Sequence, residues 1–227
     1  PAQWIEHHAR VWEKQRLKKK TKAADSEKLP LTICFSRKIG VGALEIADLL
    51  GKKMGYRVAD RTIIEHIAGD AKISKKTAAV YDEKDPGKMT DFLRLLFGEK
   101  AFIKSDYARH LFSTVLSIAS LEPTIFVGRG THLILPRDRV LAVRFICSRE
   151  HRVQRLGSIY GVAEEVAEMK LDQVDKEQTA FFKNTFGKKE ASPYEFDVVV
   201  NCDHITSPQW SVEIVAHAFK QKFGNHI

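Results

Sequence analysis

From residue 31 onward, short apolar runs alternate with longer stretches in which apolar positions recur every three or four residues. The runs LTICFS (31–36), TIFVG (124–128), VLAVRFIC (140–147) and FDVVVN (196–201) are rich in β-branched and aromatic side chains. That pattern predicts strands buried on both faces. A shorter extended piece, YRVADR (56–61), predicts a fifth. Helical spacing is predicted after Gly42, with Leu44, Ala47, Leu50 and Met54 as the buried face. It recurs over about 62–68, over most of 72–121 with a break at DPGK, over 149 to about 186 with an interruption at YGV, and over 208 to about 223. Strands separated by helices imply parallel pairing, so the expected fold is α/β: a three-layer α/β/α sandwich of about five parallel strands.

The first 30 residues follow a different pattern. Trp4, His8, Val11 and Trp12 fall near one helical face, a basic run through Lys18, Lys19 and Lys20 follows, and a polar linker closes at Pro30. This predicts an amphipathic basic helix and linker over 1–30, outside a main domain over 31–227. Its apolar face predicts docking on another subunit, as a homodimer contact, or on its own body; nucleic acid or an anionic membrane surface is the less favoured partner for its basic end.

Charge changes the picture only locally. The 227 residues carry a formal +8, with 44% hydrophobic and 29% charged positions, which is ordinary for a globular chain. Eight Lys/Arg against four Asp/Glu in residues 1–30 supply half of that excess, so the body is only mildly basic. No apolar run reaches the roughly 18 to 20 residues of a membrane span, and the start is polar where a secretory signal would be apolar; the expected location is cytoplasmic. Three scattered cysteines, Cys34, Cys147 and Cys202, read as reduced, mostly buried thiols rather than as metal ligands.

Candidate chemistry begins where the first strand runs into the first helix, at SRKIGVGAL (36–44). Glycines between a strand and a helix N-terminus let backbone N–H groups approach an anion at the positive end of the helix dipole. A phosphate loop of the GxxxxGK(S/T) type adds a lysine for the terminal phosphates and a hydroxyl for Mg²⁺. Here Gly40 and Gly42 are present, but Ala43 stands for the lysine and Leu44 for the hydroxyl. Two glycines alone also fit a tight turn that lets the helix pack on the sheet.

The loop resembles the SRxxGSGGxxIA version found in the cytidylate kinase-like family, relatives of the nucleoside monophosphate kinases, with Ser36, Arg37, Gly40, Gly42, Ile46 and Ala47 matching. Three further blocks are similar in the same order. MGYRVADRTIIEHIA (54–68) places Asp60 and Arg61 in register. TIFVGRGTHLILPRDRVLAVRFICSREHRVQRL (124–156) has a strand ending in a Gly-Arg pair and a later arginine-bearing helix. LDQVDKEQTAFFKNTFG (171–187), followed by YEFDVVVNCDHI (194–205), resembles the lid helix and last strand.

The resemblance implies a kinase that uses ATP and Mg²⁺ and phosphorylates CMP or a related pyrimidine monophosphate. It implies a helical acceptor-binding region over 60–121 and a lid over 149–190. Ser36, Arg37, Lys38, Gly40, Val41, Gly42, Ala43 and Leu44 would surround the donor phosphates. Asp60, Arg61 and Arg129 would serve the acceptor, with Asp60 as a weak metal ligand. Arg152, Arg155, Asp175 and Lys183 would belong to the lid, and Arg37, Asp60, Arg129 and Arg152 would act in catalysis.

Each assignment has a plainer reading. Asp60 can cap a helix, Arg129 can pair with a carboxylate, and Arg149, Arg152 and Arg155 can form a solvated face. His132 is expected to pack rather than act as a base. Departures from the family pattern also weigh: the lid reads DKEQ (175–178), with Gln178 where the family has arginine, and Val127 and Gly130 flank the Gly-Arg pair where acids often stand. They support an alternative in which a nucleotide-binding protein of the same fold has lost catalysis and serves as a sensor or partner-binding module.

Overall fold

A computed structural model describes residues 29–69 and 106–224. The expected N-terminal helix at 1–28, with its homodimer contact, and the 70–105 portion of the acceptor-binding region lie outside the described residues. Within them, Thr32–Arg37 (β1), Arg57–Ala59 (β2), Thr124–Val127 (β3), Val140–Ile146 (β4) and Val198–Asn201 (β5) form one sheet in the order β2-β3-β1-β4-β5. Every pairing is parallel, as the apolar runs predict.

Helices cover both faces because alternate strand residues are apolar on both sides. On one face Ile33, Phe35, Leu141, Val143 and Phe145 pack against Ala43–Met54 (α1) and Pro208–Phe223 (α6). On the other, Cys34, Phe126, Val140 and Ala142 pack against Asp106–Leu121 (α3), with Ile64 of Arg61–Gly69 (α2) closing one end. Arg149–Tyr160 (α4) and Glu164–Phe186 (α5) form an antiparallel pair joined through Val153, Leu156, Ala167 and Leu171. This is the three-layer α/β/α arrangement, with β1 central and its carboxyl end flanked by those of β3 and β4. In such sheets ligands bind at that edge.

Three details differ from the sequence pattern. Leu44, expected on the buried face of α1, is 45% exposed; that face is Ala43, Ile46, Ala47, Leu50 and Gly51. Gly51, about two turns further along nearly the same line of the helix, is buried: a Cβ there would stand 2.9 Å from the Tyr56 carbonyl oxygen and 3.0 Å from Val58. The third and fourth strands each stop one residue early, at Val127 and Ile146, because Gly128 and Cys147 already turn out of the sheet, and the last begins at Val198 because Phe196 closes a short 3-10 turn. Arg152, grouped with a solvated face, is buried. All three cysteines are free, Cys34 and Cys202 buried and Cys147 half-buried. Burial pushes the Cys34 and Cys147 thiols up to about 12, far from nucleophilic range.

Candidate functional site

The glycine loop leaves the carboxyl end of β1 and enters α1 through Gly42, whose φ of 84° is left-handed. No side chain caps this helix, so its first N–H groups remain for an outside acceptor. The loop is covered by α4. A Cβ at Gly40 would lie 2.9 Å from the carbonyl oxygen of Arg152, and one at Gly42 would lie 3.1 Å from the Arg155 guanidinium carbon. Only glycine fits that approach.

The lid residues are tied to the loop by hydrogen bonds. Arg152 donates from Nε to the Ile39 carbonyl at 2.8 Å and from Nη2 to Asp175 at 2.7 Å. Arg155 donates to Glu45 at 2.6 Å, and Gln178 donates from Nε2 to the Arg37 carbonyl at 3.0 Å. Ser36 is buried and accepts from Arg144 at 2.7 Å. Val41 and Ala43 are buried, while Lys38, Leu44 and Lys183 are exposed. Lys38 opens onto a small cleft shared with Asp175 and Gln178.

Across the β1 end lies the Gly-Arg corner. Gly128, Arg129 and Gly130 have φ values of 94°, 54° and 66°, three successive left-handed residues. For arginine that conformation costs of order 1–2 kcal/mol, and such strain is characteristic of functional sites. The corner is held by α5: a Cβ at Gly130 would come within 2.4 Å of Phe186, and the Arg129 guanidinium lies 4.2 Å from the centre of the Phe181 ring. The Arg129 side chain is 9% exposed and pairs with Glu65. Its Nε is buried with no partner among the described residues. Glu65 also accepts from Arg61 Nε at 3.1 Å. Burial, and then repulsion from Arg61 and Arg37, pulls Arg129 down to about 10. Burial and Arg61 pull Arg37 down as well.

The sequence profile of the cytidylate kinase-like family matches residues 32–204. The chain belongs to that family. Among solved structures it is similar to an uncharacterized protein from Eubacterium ventriosum ATCC 27560, 17% identical, with a TM-score of 0.65 over 84% of this chain and 98% of that one. A gluconokinase from Sinorhizobium meliloti 1021 is 13% identical over 86% and 94% of the two chains, with a TM-score of 0.48. No curated protein matches.

In this cytidylate kinase-like chain the candidate residues form two groups. Arg37, Arg61 and Arg129 meet in a small, partly open cleft between β1, β3 and α5. Arg152, Arg155 and Asp175 lie on the α4–α5 side of the loop instead. The Asp60 carboxylate accepts the Ile63 N–H at 2.9 Å and so caps α2. The described residues hold no group of three or more His, Cys, Asp or Glu able to bind a metal, and Leu44 stands where the usual phosphate loop has its hydroxyl.

His132 packs as expected. It sits in the 3-10 turn after the corner, with Nε2 3.2 Å from Glu195 and its ring 4.6 Å from that of Phe196. Burial pulls its pKa down to about 4.

The sequence reading missed Glu65, Phe181 and Glu45. Glu65 had a signal, standing four positions after Arg61 on a helix. For Phe181 and Glu45 the sequence carried none, since their partners lie 52 and 110 positions away.

No helix of the described residues is long and apolar enough to cross a membrane.

Proposed function

We propose that the chain transfers the γ-phosphoryl group of ATP to a pyrimidine nucleoside monophosphate, CMP by family resemblance. The observation that carries this reading is the Gly128–Gly130 corner: a strained, largely buried arginine with a donor unpartnered among the described residues, opening onto the sheet edge beside the glycine loop. Phosphoryl transfer asks a protein mainly to hold donor and acceptor in line and to neutralise charge. In this reading the loop and the N-terminus of α1 hold the donor phosphates, and Arg61 and Arg129 hold the acceptor phosphate. The α4–α5 pair acts as the lid that excludes water. Mg²⁺ would be bound by nucleotide oxygens and water and would neutralise the phosphates in transit.

A second reading, nucleotide binding without transfer, is favoured by specific residues. Ala43 and Leu44 remove the usual lysine and hydroxyl, and Gln178 spends its amide on the Arg37 carbonyl rather than offering a charge to phosphate. The experiment that separates the two is ATP-dependent conversion assayed across the common nucleoside monophosphates. Formation of CDP from CMP, faster than any purine diphosphate, supports the kinase. Saturable ATP binding with no diphosphate formed from any acceptor supports the second reading.

A further inference from the structure

Arg37 stands in the glycine loop by sequence, yet its side chain leaves that loop. Its guanidinium carbon lies 4.0 Å from the place of a Cβ on Gly128, on the far side of β1 from α4, and it lines the same cleft as Arg61 and Arg129. Among the described residues it has no hydrogen-bond or ion-pair partner, Asp60 acting on it only at longer range. Two of the nearby acids among the described residues are already engaged. Asp60 caps α2, and Glu65 is shared between Arg61 and Arg129. Glu177 of the lid helix lines the same cleft and acts on Arg129 without forming a close pair. One shared carboxylate cannot satisfy three guanidinium groups, each with a planar fork of donors.

We propose that Arg37, Arg61 and Arg129 form a single socket for the dianionic phosphate of a phosphate monoester, in which Arg37 serves the acceptor and not the donor, and Glu65 is the internal carboxylate that this phosphate displaces. The assignment rests on the acceptor side of the proposed function and gives it a chemical class. A phosphate monoester carries close to two charges at pH 7 and three terminal oxygens, enough to accept from all three arginines; a carboxylate has one charge and two oxygens. Burial is the larger cause of the lowered values of Arg37 and Arg129, and the repulsion among the arginines that adds to it is relieved by a dianion more than by Glu65 alone. Glu65 thus sets a threshold: a ligand must offer more charge than a single carboxylate to take its place.

Calorimetric titrations with CMP, cytidine, inorganic phosphate and ATP, each run alone on the full chain, test the socket. Arg37→Gln is expected to weaken CMP about tenfold or more while leaving ATP within about threefold, and Glu65→Gln to tighten CMP several-fold. Cytidine, lacking the phosphate, should not distinguish the variants. If Arg37→Gln fails to fold by circular dichroism, Arg37→Lys, which keeps the charge and loses the fork, should still weaken CMP several-fold. A greater loss for ATP than for CMP returns Arg37 to the donor loop, and weaker CMP binding by Glu65→Gln makes that residue a support rather than a competitor; either overturns the proposal. So does a parent protein that binds neither CMP nor inorganic phosphate. Should phosphate bind with this mutational pattern while no diphosphate forms, the socket stands and the kinase reading falls.

Discussion

The two groups of arginines differ in how their charge is met. On the α4 side, Arg152 and Arg155 each have a carboxylate of their own, Asp175 and Glu45, at hydrogen-bond distance. On the β3 side, Arg61 and Arg129 share Glu65, Arg37 has no close partner among the described residues, and a buried Nε goes unused. A buried cation without enough counter-charge is costly, so a fold keeps one only where something else neutralises it. In the proposed reading, the contrast separates arginines that hold the structure together from arginines that receive an anion. Abundance of positive charge near a glycine loop is therefore a weaker guide to phosphate binding than a deficit of internal partners.

The largest expected effect attacks the support behind the β3 side. The folded pKa of His132, about 4, lies below its ordinary 6.5, so the unfolded chain takes up this proton first. Stability is then full above pH 6.5 and declines as pH falls from 6.5 to 4, by about 3 kcal/mol for a shift of this size. Urea unfolding at several pH values should show that slope, and His132→Gln should remove it. A parent protein equally stable at pH 7 and 4.5 would contradict a buried, neutral imidazole.

Next in size is the contrast itself. Arg129→Ala should cost the acceptor nucleotide about 2–3 kcal/mol of binding, on the order of a hundredfold, with ATP nearly unaffected. Gly42→Val should do the reverse, weakening ATP about tenfold by filling the backbone's approach to phosphate and straining a left-handed residue. Parallel losses for both ligands in either variant would show that the two sides are not separate sites.

The smallest effect sharpens the α4 side. Glu45→Gln releases Arg155 from its partner beside the N-terminus of α1 and should strengthen ATP binding two- to fivefold, the scale of one partly exposed ion pair. Unchanged affinity would mean that Arg155 does not reach the donor phosphates even when freed.

Most of the architecture was legible because parallel strands buried on both faces read as unbroken apolar runs, and each run matched a strand to within two residues. The buried face of α1 was less so: Leu44 fits the apolar spacing yet is exposed in the first turn, and the closely packed Gly51 carries no hydropathy signal. Spacing also could not separate Arg152 from Arg149 and Arg155, which rise three residues apart on α4; burial of the middle one follows from the loop lying against it. Resemblance gathered Arg61 and Arg129 at one place. The assignment of Arg37 to the donor could be questioned only once the direction of its side chain was known, because one position of sequence separates the loop's backbone from the opposite side of the strand.

The central place of β1 has a further consequence, for how the chain reaches its fold. β1 is made first, but its partners in β3 and β4 lie roughly a hundred positions further along, and closing loops of that length is entropically costly and slow. The middle of the sheet cannot form before residues 140–146 are available, and its edge waits for 198–201. A nascent chain therefore carries an unpaired apolar strand while about ninety further residues are made, exposed to association with other chains. Folding of this protein is a whole-chain event, so fragments ending before β4 should be recovered as aggregates or unfolded polypeptide rather than as a working half.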